Sequence, residues 1–192
     1  MNCGEKGLPS KKVVGIAGMP GAGKTLAAKI AKEMNFEVVV MGDIVREEAK
    51  KRGLAPNPEN LGKLMLQMRE KEGPAVIAKK CIPKIEEAKT DIVIVDGVRS
   101  LHEVKEFRRF FPNFIILAVH ASPKTRFERL FKRKRSDDPE KWATFLERDM
   151  RELKVGLGHV IALADQLIVN EGSKAEFEEK VRDFLRKVIK DG

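Results

Sequence analysis

Tyrosine is missing from this chain of 192 residues, and glutamine occurs only at positions 67 and 166. Set beside 38 Lys and Arg and 29 Asp and Glu, that scarcity is the balance heat-stable proteins tend to show. It predicts a melting temperature above about 60 °C, the upper range of ordinary domains. Cysteine is rare too. Cys3 and Cys81 sit in no CxxC pair or metal-like cluster, and the three histidines are scattered, which leaves two free thiols and no zinc site to argue. No run of 18 apolar residues exists to span a membrane. The first twelve residues lack the apolar stretch of a signal peptide, so the expected location is the cytoplasm, with no membrane partner.

What is present suits one compact domain. The hydrophobic fraction is 42% and the charged fraction 35%, enough apolar side chain to bury a core. The net charge of +9 admits a nucleic-acid partner, a polyphosphate site, or charge enrichment for heat stability. The last two together account for most of it.

Short Val/Ile-rich runs at 13–17, 36–40, 92–95, 114–119 and 166–169 alternate with stretches of 3.6-residue periodicity. This is the βαβ pattern of a parallel sheet covered on both faces, and the runs read as buried strands. Helices are expected over 24–34, from Ser100 to 111 with Glu103 as capping-box partner, from Pro123 to about 135, and from Ser173 to about 189. Between the second and third strands lies an insertion of about fifty residues, 41–90, far more than a crossover needs. It reads as two or three helices broken at 53–58 and 73–74, with a kink at Pro83. Such added length suits a subdomain that closes on a substrate.

One motif decides the class. Gly18, Met19, Pro20, Gly21, Ala22, Gly23, Lys24 and Thr25 form G-x-x-x-x-G-K-T between a strand and a helix. Glycines let backbone N–H groups turn inward around phosphate oxygens, and the helix start aims its positive end at the same anion. Lys24 places a charge on the β- and γ-phosphates, while the Thr25 hydroxyl ligates Mg²⁺. Asp96 closes an apolar strand and is the expected second Mg²⁺ residue, partly through water.

Arg46, in Gly42-Asp43-Ile44-Val45-Arg46, and Arg99, in Asp96-Gly97-Val98-Arg99, both follow strands at the carboxyl edge of the sheet, where α/β sheets bind ligands. Their forks suit an acceptor phosphate. A dense basic segment follows, in which Arg126, Arg129 and Arg133 share one helix face and Phe127, Leu130 and Phe131 the opposite one. The arginines read as a phosphate lid over about 126–139, and Lys124, Lys132 and Lys134 as a solvated face. RNA is admitted as a partner here, although no interleaved aromatic supports it. Cys81, on the stripe of Ile77 and Ile85, reads as core, and Trp142 as packing against the lid.

Taken in order, G-M-P-G-A-G-K-T, G-D-I-V-R, D-G-V-R, the Arg-rich R-L-F-K-R…R-S-D-D and V-N-E-G-S resemble the motifs of adenylate kinases. The likeness is greatest to an archaeal family of adenylate-kinase-related, dephospho-coenzyme-A-kinase-like P-loop kinases, carried by M-G-D-I-V-R-E-E-A-K, D-G-V-R-S and H-A-S-P-K-T-R-F-E-R-L. It implies a nucleoside-monophosphate-kinase fold with strand order 2-3-1-4-5, ATP as phosphoryl donor, Mg²⁺ as cofactor and small nucleotides as substrates. It further implies that Arg46 and Arg99 hold the acceptor phosphate, that Arg129 lies over the donor adenine, and that Arg133 contacts its phosphates. Arg135 and Arg148 match further lid arginines, and 170–173, including Gly172, the adenine loop. Two positions depart. Met41 stands where adenylate kinases have Thr, and Glu103 where they have a Gln that reads the AMP base. A carboxylate accepts but does not donate, which suits a guanine face; Glu103 is also the capping-box residue named above.

With a phosphate acceptor, positioning and charge neutralisation by Lys24, Arg46, Arg99 and Arg133 suffice. Transfer to a hydroxyl, as in dephospho-coenzyme A, needs a base, and Asp43 is the candidate. A third reading is an ATPase or nucleotide switch acting on RNA or ribosomal particles.

Overall fold

The computed structural model describes residues 11–134 and 138–190, so Cys3 and the lid candidate Arg135 lie outside the described residues. The elements in chain order are β1 (Lys12–Ala17), α1 (Lys24–Glu33), β2 (Glu37–Val40), α2 (Met41–Lys51), α3 (Pro58–Glu72), α4 (Val76–Glu86) and β3 (Ile92–Asp96). There follow α5 (Leu101–Phe110), β4 (Ile115–His120), α6 (Pro123–Arg133), α7 (Trp142–Val155), α8 (Leu157–Ala162), β5 (Gln166–Val169) and α9 (Lys174–Lys190). The sheet is parallel throughout, in the order β2-β3-β1-β4-β5.

The period-2 alternation of the strands sorts their side chains into two cores. Val13, Ala17, Val93, Val95 and Ile116 join residues of α2, α3, α4, α5 and α8 on one face. Val14, Ile16, Ile94, Leu117 and Val119 join α1 and α9 on the other. Cys81, Ile77 and Ile85 are buried in the first core. Each fully buried aliphatic side chain contributes about 1.5–3 kcal/mol, so the apolar strand runs bind both helical layers to one sheet.

Local chemistry sets the boundaries. Ser100 caps α5 by accepting from the Glu103 N–H, while the Glu103 carboxylate accepts from the Ser100 N–H, the reciprocal box the sequence contains. Ser173 and Glu176 repeat it at α9. Ser122 caps α6 ahead of Pro123. The insertion resolves into three helices, α2, α3 and α4. α4 runs through Pro83 for three further residues, although the ring removes the donor that would bond the Lys79 carbonyl.

Two points depart from expectation. β2 and β5 are edge strands, so neither is buried as the central three are; Leu167 and Val169 of β5 are exposed. α8, which starts beyond the left-handed turn at Gly156 (φ 110°), carries no cap or motif that foretells it.

Candidate functional site

At the C-terminal edge of β1 the chain turns through Gly18–Gly23 into α1. Gly21 (φ 82°) lies under α6, where a Cβ would stand 2.8 Å from the Arg126 carbonyl oxygen. Gly23 (φ 118°) has the Asn170 amide nitrogen 2.5 Å from the same imagined atom. Both positions therefore demand glycine for backbone shape and for space. No side chain caps α1 and no acid occupies its first turn. Its leading amides and the positive end of its dipole are thus left available to an anion.

Lys24 folds back along the loop, its Nζ donating to the carbonyls of Gly18 (2.6 Å) and Met19 (3.3 Å). Burial pushes its pKa down from 10.5 to about 8, against the pull of Asp96. Asp96 ends β3 and is in register with Ile16 of β1, so its carboxylate stands beside the phosphate loop. Burial raises its pKa, and the Lys24 charge works the other way. Its buried Oδ1 has no hydrogen-bond partner among the described residues.

These groups line one wall of a cleft of about 890 Å³. Gly42, Arg46, Gly97, Val98 and Arg99 line a second wall, and Arg129, Leu130, Arg133, Arg148 and Glu152 a third. The fold thus brings together Lys24, Thr25, Arg46, Asp96, Arg99, Arg129, Arg133 and Arg148. Met19 and Ala22 turn their side chains into the core and are outside the cleft wall. Asp43 is engaged by the Arg46 guanidinium (Nε to Oδ1 2.9 Å) and, like Gly172, is outside the cleft wall. Arg133 is held by Asp138 (2.9 Å), and Arg148 lies 3.9 Å from the same carboxylate.

Arg126 is not a lid residue. It is buried, its guanidinium forks onto Asp149 (2.8 and 2.6 Å), and it donates to the carbonyls of Pro20 (3.2 Å) and Ala121 (3.0 Å). The helical wheel explains the misreading: Leu130, at i+4, shares its side, so this face of α6 is the inner one, and Phe131 is the exposed residue. Phe127 stacks edge-on against Trp142 and Phe145 of α7, as expected for Trp142. Glu103 is likewise removed from base reading. It is fully buried and accepts from the backbone N–H groups of Arg99 (2.8 Å) and Ser100 (3.2 Å), while Arg69 of α3 binds its other oxygen (2.8 Å).

Sequence reasoning missed three residues and, at Asn170 in the adenine-loop candidate, the role of the side chain. Asn170 is buried, donates to the Ala22 carbonyl (2.8 Å) and accepts from Arg129 (3.4 Å), tying the adenine-loop candidate to the phosphate loop. Glu152 receives two bonds from Arg99 (2.9 and 3.1 Å). Asp149, buried, and Arg69, partly buried, are the ion-pair partners just described. The one available signal was a run of acids on the helix following a basic lid.

Mg²⁺ fits these residues. An orphaned carboxylate oxygen and the Thr25 hydroxyl face one cleft, and no larger acidic or histidine cluster competes among the described residues. That is the sparse protein ligation Mg²⁺ takes when phosphates complete its shell. Among the described residues no helix is long and apolar enough to cross a membrane.

A family model described as an AAA domain matches residues 17–145. A UPF0200 protein of Methanothermobacter thermautotrophicus is 44% identical over 180 residues, covering 94% of this chain and 92% of its own. A UPF0200 protein of Hyperthermus butylicus is 49% identical over 180 residues, covering 94% and 96%. Among solved structures, TT1252 from Thermus thermophilus superposes with a TM-score of 0.65 at 18% identity, covering 92% of this chain and 97% of that one. Shikimate kinase from Acinetobacter baumannii, in complex with shikimate, gives 0.57 at 14% identity, covering 95% and 96%. The fold is that of P-loop kinases.

Proposed function

The chain belongs to the UPF0200 family of archaeal proteins, and with its P-loop kinase-like fold as premise we propose that it is an ATP-dependent phosphotransferase acting on a nucleotide-like acceptor. One observation carries the reading: a single cleft holds the phosphate loop with Lys24 on one wall and Arg46 and Arg99 on another. Two sets of cations facing one space suit two phosphorylated ligands that would otherwise repel each other.

In this reading the loop amides and Lys24 bind the ATP phosphates, and Arg46 and Arg99 hold the acceptor phosphate in line. Arg129, Arg133 and Arg148 cover the transferred group. The bond from the γ-phosphorus to the ADP oxygen breaks as one forms to an acceptor phosphate oxygen, so no base is required. Thr25 and Asp96 would hold Mg²⁺, whose charge offsets that of the phosphates when it is bound. AMP is the first acceptor to try, by resemblance to adenylate kinases. The Glu103 argument for guanine lapses, because that carboxylate is spent on Arg69 and two backbone amides.

The test is ADP release with ATP and Mg²⁺ against AMP, GMP, CMP, UMP, dephospho-coenzyme A and no acceptor. Stimulation by one nucleoside monophosphate is the expected result. Release indifferent to every acceptor would sink the proposal. A response to dephospho-coenzyme A alone would transfer the role to a hydroxyl kinase, with Asp43 as its base.

A further inference from the structure

Arg99 enters the cleft already engaged. Both of its bonds to Glu152 come from one nitrogen, Nη1, rather than from the two-nitrogen fork that holds carboxylates and phosphates best. The Arg99 side chain is 37% exposed and that of Glu152 15%. Among the described residues Glu152 and Asp96 are the carboxylates of the cleft wall, against eight lysines and arginines. Asp96 stands at the phosphate loop, so Glu152 is the anion at the Arg99 end. Its charge also reaches Lys24, whose protonated form it favours.

The backbones on either side of this contact are tied by hydrogen bonds. Glu103 accepts the Arg99 N–H and is itself buried against Arg69. α7 is held at Asp149, three residues before Glu152, through Arg126 to the Pro20 carbonyl of the phosphate loop. Rotation of the two side chains is the movement that leaves these bonds intact.

We propose that Glu152 occupies the acceptor-phosphate position on Arg99, so that acceptor capture exchanges one anion for another. The inference rests on the reading of Arg99 as a phosphate ligand. A phosphate arriving beside a seated carboxylate meets like charge, whereas one that takes the Arg99 fork gains two charge-assisted bonds and turns Glu152 aside. While seated, Glu152 keeps Arg99 off the donor phosphates until an acceptor is present. Glu152 is therefore a positioning residue that acts through Arg99.

The test is calorimetric titration of the whole protein with AMP and with inorganic phosphate, at fixed salt, for the wild type, Glu152→Gln, Arg99→Ala and the double variant. Removing the competing charge in Glu152→Gln is expected to tighten binding about tenfold, the scale of one charged hydrogen bond, and the gain should vanish in the double variant. In turnover the acceptor KM should fall in Glu152→Gln, with kcat falling as product leaves more slowly. A merely structural role would not give that tightening. Glu152→Ala carries the same expectation should Gln be poorly tolerated. Affinity that is unchanged, weaker or undetectable in both Glu152 variants overturns the inference, as does a gain that persists without Arg99. Acceptor-independent ADP release in the wild type would instead overturn the phosphotransfer reading, and the binding titration would still decide the anion exchange.

Discussion

Lys24 combines the chemistry of the site in one side chain. Folding holds its pKa near 8, well below the 10.5 of a free lysine. The folded protein therefore binds fewer protons than the unfolded chain between about pH 8 and 10.5, and ligand-free stability rises across that window. At pH 7 the ammonium still outnumbers the amine by about ten to one, so it is charged for phosphate binding. At pH 8 about half is free amine, against well under 1% for a solvated lysine. Acylation at pH 8, read by peptide mass spectrometry, should mark Lys24 ahead of the exposed lysines. ATP should suppress the labelling by covering the amine and raising its pKa. Equal labelling of Lys24 and the exposed lysines would contradict the burial argument. Lys24→Ala should abolish phosphoryl transfer without lowering the melting temperature, because the substitution removes a charge held at a desolvation cost. Transfer at the normal rate in that variant would be inconsistent with the proposed mechanism.

At the scale of elements, α6 and α7 are joined by the Arg126–Asp149 fork. Asp149→Ala would leave a buried guanidinium unpaired, which costs about 3–5 kcal/mol. For a chain of this size 3 kcal/mol lowers the melting temperature by roughly 6–12 °C. Calorimetry on the variant measures this, and an unchanged transition would mean the pair is solvated in solution. This fork also marks the limit of what the chain discloses before it folds. The strand runs, the phosphate loop, the Ser100–Glu103 box and the approximate helix spans were legible, because each is written in contiguous residues with a local physical cause. Arg126 was not, because α6 turns inward the face whose charges imitate a solvated or ligand-binding stripe. The register of that face is set by Gly21 beneath it, more than a hundred positions away. The side-chain role of Asn170 and the presence of Glu152 were hidden for the same reason: they act on Ala22 and Arg99, and only the β1–β4–β5 order and the course of α7 bring them there. The exposed faces of β2 and β5 went unread because edge position is a property of the sheet, not of the strand.

The whole molecule distributes its charge unevenly. Of 38 lysines and arginines, eight line one cleft, where the proposed polyphosphate binding would give them a use. Elsewhere many charges are tied in exposed pairs, such as Arg52 with Glu48 and Arg182 with Glu33. Single exposed pairs add little at 25 °C, but the cost of desolvating them falls with temperature. With two cores on one sheet and the Lys/Glu-rich composition, the transition should lie above about 60 °C. A scanning-calorimetry midpoint below that would show the composition to be a poor guide.

The bond from Arg126 to the Pro20 carbonyl has a further consequence, in time rather than in space. One end of this strut is the loop that ATP would grip; the other is the buried Asp149 in the middle of α7, next in sequence to the cleft-lining Arg148. A ligand that stills the loop stills the strut, and amide hydrogens around Asp149 should then exchange with solvent more slowly, in an Arg148→Ala variant as in the wild type.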